Sequence, residues 1–189
     1  MGTGYIKAGF SGEDLPRSVT ATVVGQQTID VDPTAQANNI GQELKPKTIY
    51  SVGKHAYDAR MKSTNSDNLQ MHFPIERGII DFEHEQDYLT ELLKNIFEKD
   101  LGLEPRNMKV LMTDCPFNKK EDKIRLTTMM FDTFKVQSFA LINTAVLSLF
   151  STGKTCGLVA ECGEGVTYTV PIFEGYALPH AMHSLKVAG

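Results

Sequence analysis

The sequence contains no tryptophan, only three cysteines, and no excess of positive charge. Its 19 lysine and arginine residues are outnumbered by 23 aspartate and glutamate residues, which gives a formal net charge of -4. A chain with this balance has no broad positive surface to attract the phosphates of nucleic acid or the anionic face of a membrane. We therefore expect neither nucleic acid nor a membrane among its partners.

The cysteines Cys115, Cys156 and Cys162 are odd in number, and no charged and apolar secretory signal opens the sequence. A secreted disulfide framework is therefore disfavoured. No apolar run approaches the roughly 18 residues of a membrane span. These absences predict a reducing compartment, namely the cytoplasm, with the nucleus as the alternative.

What the sequence does contain is the composition of a globular protein. Hydrophobic residues make up 41% and charged residues 22% of the chain, which is enough apolar side chain to bury a core. With about 150 residues per domain as a guide, the 189 residues predict one domain or one and a half.

The first third of the chain reads as short strands and polar loops. A glycine-rich turn precedes a short strand at residues 5–10, and a second strand is predicted at 19–24, which together indicate a hairpin. Residues 25–47 are polar and show neither the helical nor the strand period, so they predict a long exposed loop. With the polar stretch at 62–68, the whole of 25–72 reads as an insertion.

Helices and strands alternate from residue 87 onward. Apolar side chains recur at i, i+3, i+4, i+7 and i+8 between Leu89 and Phe97, which predicts an amphipathic helix over 87–99. Beyond Gly153 the pattern returns to strands alone. The other predicted elements are strands at 109–113, 138–142, 158–160, 166–173 and 185–188, and helices at 118–134 and 144–150.

Two glycine turns of similar style occur, at residues 2–4 and 163–165. Two such turns that aim backbone N–H groups at a common point can hold one polyphosphate between them. On local sequence alone, however, a glycine pair is more often only a tight turn, and Glu161 and Glu164 read equally well as solvated turn acids. The local sequence leaves both interpretations open.

Four segments of the chain resemble actin and the actin-related proteins. They are residues 7–17, 73–79, 145–150 and 165–181, which are collinear with that family. The longest segment, from Gly165 to Ala181, matches without a gap and is the most specific. The resemblance extends over nearly the whole chain and covers about the N-terminal half of the family fold.

The resemblance implies an α/β fold of the ribonuclease H-like type shared by actin, the heat-shock ATPase chaperones and the sugar kinases. We expect an incomplete version of it, a mixed sheet with flanking helices plus the first strands of a second sheet. Residues 1–150 would form a first subdomain with a second one inserted at about 23–73. Residues 151–189 would begin a third.

The resemblance also implies a nucleotide site, in which ATP or ADP binds with Mg²⁺ or Ca²⁺ between the two glycine turns. Glu161 and Glu164 are each one methylene longer than the family's aspartates. Since Mg²⁺ demands near-ideal octahedral geometry, Glu161 is expected to be only a weak metal ligand. The implied nucleotide-binding residues are Gly2, Thr3, Gly4, Lys7, Gly163, Glu164, Gly165 and Val166.

Two positions that serve hydrolysis in the family carry different residues in this chain. Thr144 aligns with the glutamine that orients the attacking water, and Tyr168 aligns with the nearby histidine. Threonine has too short a reach, and tyrosine is a poor proton relay near neutral pH. We therefore expect little or no ATP hydrolysis and assign no catalytic residue.

The function implied by the resemblance is that of an actin-like cytoskeletal protein that acts through protein–protein contacts and binds ATP weakly or not at all. Its expected partners are actin or actin-binding proteins, together with self-association. One alternative is a nucleotide-binding actin-related ATPase or switch. A second is a truncated actin-family fragment without a function of its own.

Overall fold

The computed structural model describes residues 1–29, 47–62 and 69–189 of the chain. Helices and strands are both present, and the described strands form five small sheets, one of them parallel. This is the mixed α/β architecture that the alternation of elements predicts. Within the described ranges, no helix is both long enough and apolar enough to cross a membrane.

The chain opens with the predicted hairpin. Strand β1 (Tyr5–Ala8) pairs antiparallel with β2 (Ser18–Ala21). The hairpin is fastened to a distant part of the chain, because the hydroxyl groups of Ser18 and Thr20 both donate to Asp100 Oδ2 at 2.6 Å. The chain then turns away from the hairpin, earlier than the predicted end of the second strand at residue 24.

A three-stranded antiparallel sheet follows the hairpin. Strand β3 (Val24–Ile29) lies between β4 (Lys47–Val52) and β5 (Leu69–His72). Helix α1 (Lys54–Lys62) comes after β4 and buries one alanine, Ala56. It packs closely on the sheet, since a Cβ placed on Gly25 would come within 3.3 Å of the Ala56 Cβ.

The loop predicted from residue 25 is wrong at its start, because residues 25–29 belong to β3. Their sequence, Gly-Gln-Gln-Thr-Ile, has no apolar alternation, and the strand is held instead by backbone pairing on both sides. The polar stretch predicted from residue 62 likewise begins inside α1. The remainders of both predicted segments, 30–46 and 63–68, lie outside the described residues.

A tight hairpin of β6 (Ile75–Glu76) and β7 (Ile79–Ile80) leads to helix α2 (Gln86–Asn95). A π-helical turn (Ile96–Asp100) continues the helix, so the predicted amphipathic helix over 87–99 is confirmed. Each large apolar side chain buried on its inner face contributes about 1.5–3 kcal/mol to folding. These side chains are Leu89, Leu92, Leu93, Ile96 and Phe97.

A β-α-β-α unit forms the middle of the protein, as predicted. Strand β8 (Lys109–Asp114) pairs in parallel with β9 (Ser138–Asn143), and helix α3 (Lys120–Asp132) connects them. Helix α4 (Thr144–Phe150) follows β9 directly. Its first turn is capped by the Asn143 side chain, which accepts a hydrogen bond from the Ala145 N–H at 2.9 Å.

The last part of the described chain is an antiparallel sheet, as the return to strand patterns predicts. Strand β11 (Thr167–Phe173) pairs with β10 (Gly157–Cys162) and, on its other side, with β12 (Tyr176–Ala177) and β13 (His183–Leu185). A 3₁₀ turn (Pro179–Ala181) precedes β13. The final strand thus ends at Leu185, where the predicted strand over 185–188 begins, so that prediction is wrong beyond residue 185.

The buried side chains form two clusters. The larger surrounds α2 and includes residues from β1, β8 and α3. The smaller joins α4 to the last sheet, so α4 shares its core with residues beyond the predicted boundary at 150. Its members are Cys115, Ala145, Val146, Leu149, Tyr168, Val170 and Ile172. The division of the chain at residue 150 stays a prediction.

Candidate functional site

The two glycine turns face each other across a cavity of about 440 Å³. One turn precedes β1 and the other joins β10 to β11, so two separate sheets position them. With the exception of Lys7, all the predicted binding residues line this cavity. They are Gly2, Thr3, Gly4, Glu161, Gly163, Glu164, Gly165 and Val166.

The first turn is fixed by hydrogen bonds to its neighbours. The buried Thr22 donates from its hydroxyl to the Gly2 carbonyl at 2.8 Å and from its backbone N–H to the Gly4 carbonyl at 2.9 Å. Thr3 Oγ1 accepts a hydrogen bond from the Gly78 N–H at 2.8 Å. The turn is therefore held by hydrogen bonds to two separate parts of the chain, at Thr22 and at Gly78.

The second turn approaches the first so closely that residue 165 has room only for glycine. A Cβ placed on Gly165 would lie 2.6 Å from Thr3 Oγ1 and 2.8 Å from the Arg77 Cα. Atoms at these distances overlap, and one of the two belongs to backbone. The glycine at 165 is thus required by direct contact between the turns.

The Glu164 carboxylate lies directly against Gly4. A Cβ placed on Gly4 would fall 1.3 Å from Glu164 Oε2, so this oxygen occupies the space that any side chain at residue 4 would need. The carboxylate therefore adds a negative charge between the two turns, where the resemblance implies a phosphate group. This carboxylate would repel a phosphate group bound there, because both carry negative charge.

Glu161 is held by two hydrogen-bond donors. The Tyr168 hydroxyl donates to Glu161 Oε2, and the Ser148 hydroxyl donates to Oε1 at 2.8 Å. Glu161 and Tyr168 are direct cross-strand partners on β10 and β11, which explains why they meet. Burial first, and then the hydrogen bond and charge of Glu161, raise the pKa of Tyr168 well above its usual 10.0.

The described residues around the cavity offer few ligands for a divalent metal ion. Each oxygen of Glu161, the implied ligand, already accepts a hydrogen bond. In the part of the chain that the structure describes, no group of three His, Cys, Asp or Glu residues could hold such an ion. The two glycine turns border one cavity, and the Glu164 carboxylate lies between them against Gly4.

Thr144 lines the same cavity, at the first position of α4. Its hydroxyl donates to the Asp114 carbonyl at 2.9 Å, so its hydrogen atom is directed to the end of β8. Tyr168 lines the cavity as well and is buried at 7% exposure. Thr144 and Tyr168, the two residues that the resemblance places at the hydrolysis positions, therefore line one cavity. The hydroxyl of each donates a hydrogen bond within the protein, to Asp114 and to Glu161 respectively.

Sequence reasoning missed the residues at the end of β8. Cys115 lines the cavity, and burial raises the pKa of its thiol. The buried Asp114 beside it pairs with Lys123 at 2.8 Å and accepts a hydrogen bond from Asn118 Nδ2 at 2.7 Å. The carboxyl ends of parallel strands commonly border binding sites, and that rule would have pointed to this place.

Lys7 lies elsewhere. It lines a separate cavity of about 280 Å³ between β1 and β8, where its side chain is exposed. Within the described residues, Lys7 does not border the space between the two glycine turns. Its implied contact with phosphate stays a prediction.

The fold and the paired glycine turns agree with a comparison against protein-family models. The model described as Actin matches residues 1–189. The mixed α/β architecture and the positions of the two turns are those that the resemblance implies. The chain belongs to the actin family.

Proposed function

We propose that this protein is an actin-like cytoskeletal protein that acts through protein–protein contacts, binds ATP weakly or not at all, and hydrolyses little of it. The contact part of the proposal is supported by membership of the actin family. The nucleotide part is supported by Glu161, because its Oε1 accepts a hydrogen bond from Ser148 and its Oε2 accepts one from Tyr168. These two donors hold the carboxylate in one orientation and leave about one lone pair on each oxygen, so turning it toward a metal ion costs internal hydrogen bonds. Each such bond to a charged group contributes about 1.5–3 kcal/mol.

The partners proposed on family grounds are actin, actin-binding proteins, or further copies of this chain in the cytoplasm. Co-sedimentation with actin filaments and the rate of actin polymerisation test this directly. We expect the purified protein to pellet with filaments or to change the polymerisation rate. If it does neither, the contact function loses its support.

The nucleotide part is tested by thermal unfolding with and without magnesium-ATP. A ligand at roughly 100 times its dissociation constant adds about 2.7 kcal/mol to the stability. We expect no rise in Tm at millimolar magnesium-ATP for the unmodified protein. A clear rise would contradict the proposal of weak or absent binding.

A nucleotide-binding switch or ATPase is the second candidate, favoured by one observation. The two glycine turns border a single cavity, as a polyphosphate cradle requires. If this candidate is right, the Glu164 side chain has to move from Gly4 when nucleotide binds. Glu164→Gln would then increase the affinity for ATP, whereas under the first proposal neither protein binds it appreciably.

A further inference from the structure

The three-stranded sheet is joined to the rest of the protein at one place. The chain enters the sheet at Val24, the first residue of β3, and leaves it at His72, the last residue of β5. These two residues are direct cross-strand partners, so the two crossings lie side by side. Two adjacent crossings let a sheet swing unless side chains fix it. The side chains beside His72 are therefore placed to control how firmly the sheet is attached.

His72 lies against the start of α2. Its Nδ1 is 3.2 Å from Oε1 of Glu85, the residue that precedes the helix, and its ring stacks on Tyr88 with the ring centroids 3.6 Å apart. The Tyr88 hydroxyl donates to Oε1 of Gln26 on β3. Tyr50 of β4 meets the Tyr88 ring edge-on at a centroid distance of 6.1 Å. Each strand of the sheet thus reaches α2 through Glu85 or Tyr88.

The junction is largely shielded from water, and its hydrogen bonding is incomplete. The side chains of His72 and Glu85 are 17% and 19% exposed. In the part of the chain that the structure describes, His72 Nε2 and Glu85 Oε2 are buried and have no hydrogen-bond partner. A buried polar atom without a partner is destabilising, and a single hydrogen bond offsets little of that cost. With a neutral imidazole, His72 therefore holds the sheet only weakly.

Protonation of His72 strengthens this junction in two ways. The hydrogen bond to Glu85 becomes an ion pair, and charge attraction is stronger where water is largely excluded. The positive ring also lies over the face of Tyr88, which attracts a cation. His72 Nε2 has no partner among the described residues in either protonation state, so the two states differ mainly in these attractions. The attached arrangement therefore binds the proton more tightly than a detached one.

The other groups around His72 keep their charge when the imidazole titrates. Burial raises the pKa of Tyr88 above its usual 10.0, so this phenol stays neutral. Tyr50 is the titratable side chain that β4 places there, β3 has none, and α2 adds the carboxylate of Asp87 in its first turn. Histidine is the side chain type that ordinarily changes charge between about pH 5 and 8. His72 is thus the group at this junction that responds in that range.

We propose that His72 and Glu85 form a pH-sensitive lock that fastens the three-stranded sheet to α2 when His72 is protonated. A state that binds a proton more tightly is favoured as the pH falls. The lock therefore closes in mildly acidic solution and loosens as the pH rises through the range in which imidazole loses its proton, between about pH 5 and 8. This inference goes beyond the proposed contact function and does not rest on it.

Hydrogen exchange of the purified protein at pH 5.5 and 7.5, corrected for intrinsic exchange rates, tests the lock. We expect the backbone amides of β3 and β5 to be protected about three- to tenfold more at pH 5.5, the range expected when a hydrogen bond becomes a shielded ion pair. His72→Gln keeps a hydrogen-bonding side chain that cannot be protonated, so it should remove the difference. Glu85→Gln removes the negative charge at nearly constant shape and should remove it as well.

The matched control is His55→Gln, because His55 is an exposed histidine on α1. This variant should keep the full difference between the two pH values. His84, which pairs with Asp81 at the surface, is present in every variant and so cannot account for a change between them. Circular dichroism at both pH values checks that each variant is folded. Equal protection at the two pH values in the unmodified protein, or greater protection at pH 7.5, would overturn the proposal. So would a full difference that survives in His72→Gln or in Glu85→Gln.

Discussion

Gly4 and Gly165 lie in the two turns that border the candidate site, yet they are constrained by different neighbours. Above Gly4 is the Glu164 carboxylate, the end of a flexible and exposed side chain. Against Gly165 lie Thr3 and the backbone of Arg77, neither of which can move without moving a turn. The same substitution should therefore have different consequences at the two positions.

We predict that Gly165→Ala lowers the free energy of unfolding by about 1–3 kcal/mol, the usual cost of forcing a methyl group into a packed site. Gly4→Ala should cost less than about 1 kcal/mol, since Glu164 can rotate away. Urea denaturation of both variants measures the difference. Gly4→Ala combined with Glu164→Ala is the control and should recover most of the Gly4→Ala loss. Equal losses for the two single variants would contradict the different constraints on the two turns.

The raised pKa of Tyr168 predicts a loss of stability in alkaline solution. In the unfolded chain this phenol loses its proton near pH 10, whereas in the folded protein it keeps it. The unfolded state then binds fewer protons, so the free energy of unfolding falls as the pH rises above about 10. Below that pH both states are protonated, and the contribution is complete.

Tyr168→Phe should remove this dependence, which amounts to at most about 1.4 kcal/mol per pH unit for one group. Urea denaturation at several pH values between 9 and 11.5 measures it. Tyr88 and Cys115 also have raised pKa values, but they are present in both proteins, so the difference isolates Tyr168. Ser148→Ala removes the other donor to Glu161 without removing a titrating group and should keep the full dependence. An unchanged slope in Tyr168→Phe would refute the assignment.

At the scale of elements, α2 is the helix on which the larger core is built. Leu92 is fully buried at 0% exposure, and Lys94 on the same helix is exposed. We predict that Leu92→Ala lowers the free energy of unfolding by about 2–5 kcal/mol because it leaves a cavity. Lys94→Ala should change it by less than about 0.5 kcal/mol. Chemical denaturation followed by circular dichroism compares the two, and similar losses would mean that α2 is not packed as described.

Some elements could be predicted from sequence because their burial is periodic. The leucines of α2 repeat at helical spacing, and α4 has the predicted bounds of 144–150. Helix α1 was missed because it buries only Ala56, so its sequence shows no apolar stripe. β3 was missed for a similar reason, as its polar residues are held by backbone pairing to two neighbours. Hydrophobic periodicity predicts an element whose side chains are buried on one face. It cannot predict an element that is stabilised mainly by backbone hydrogen bonds.

The candidate site was predicted in part for a related reason. The glycine turns are visible in the sequence as residues 2–4 and 163–165, and the family resemblance brings them together. What the side chains do there depends on cross-strand register. Glu161 faces Tyr168 because the turn between β10 and β11 aligns them, and Ser148 reaches Glu161 from α4. A local interpretation of Glu161 as a turn acid or a metal ligand could not include partners on two other elements.

At the scale of the whole molecule, the last sheet has one covered face and one face that is open among the described residues. Tyr168, Val170 and Ile172 of β11 point into the smaller core. On the other face Leu158 is 68% exposed and Leu185 is 62% exposed. Exposed apolar faces of this kind promote association.

We predict that the protein associates as its concentration rises and that Leu158→Glu reduces this association. Light scattering and binding of a hydrophobic dye measure the effect. The Tm should change little, because the Leu158 side chain is already mostly in solvent. Ile172→Glu is the contrasting control, since a charge buried at that position should unfold the sheet. If Leu158→Glu associates as strongly as the unmodified chain, this face is not the cause.

The attachment of the first hairpin to Asp100 has a consequence for how the protein is made. Ser18 and Thr20 are 82 and 80 residues away from their common acceptor. At a synthesis rate of about 5–20 residues per second, a ribosome needs roughly 4–16 s to add those residues. During that time the hairpin has emerged without its acceptor, and its exposed strand edges are open to chaperones or to other nascent chains. The order of synthesis therefore makes this hairpin wait for its contact with Asp100 until the π-helical turn has been made.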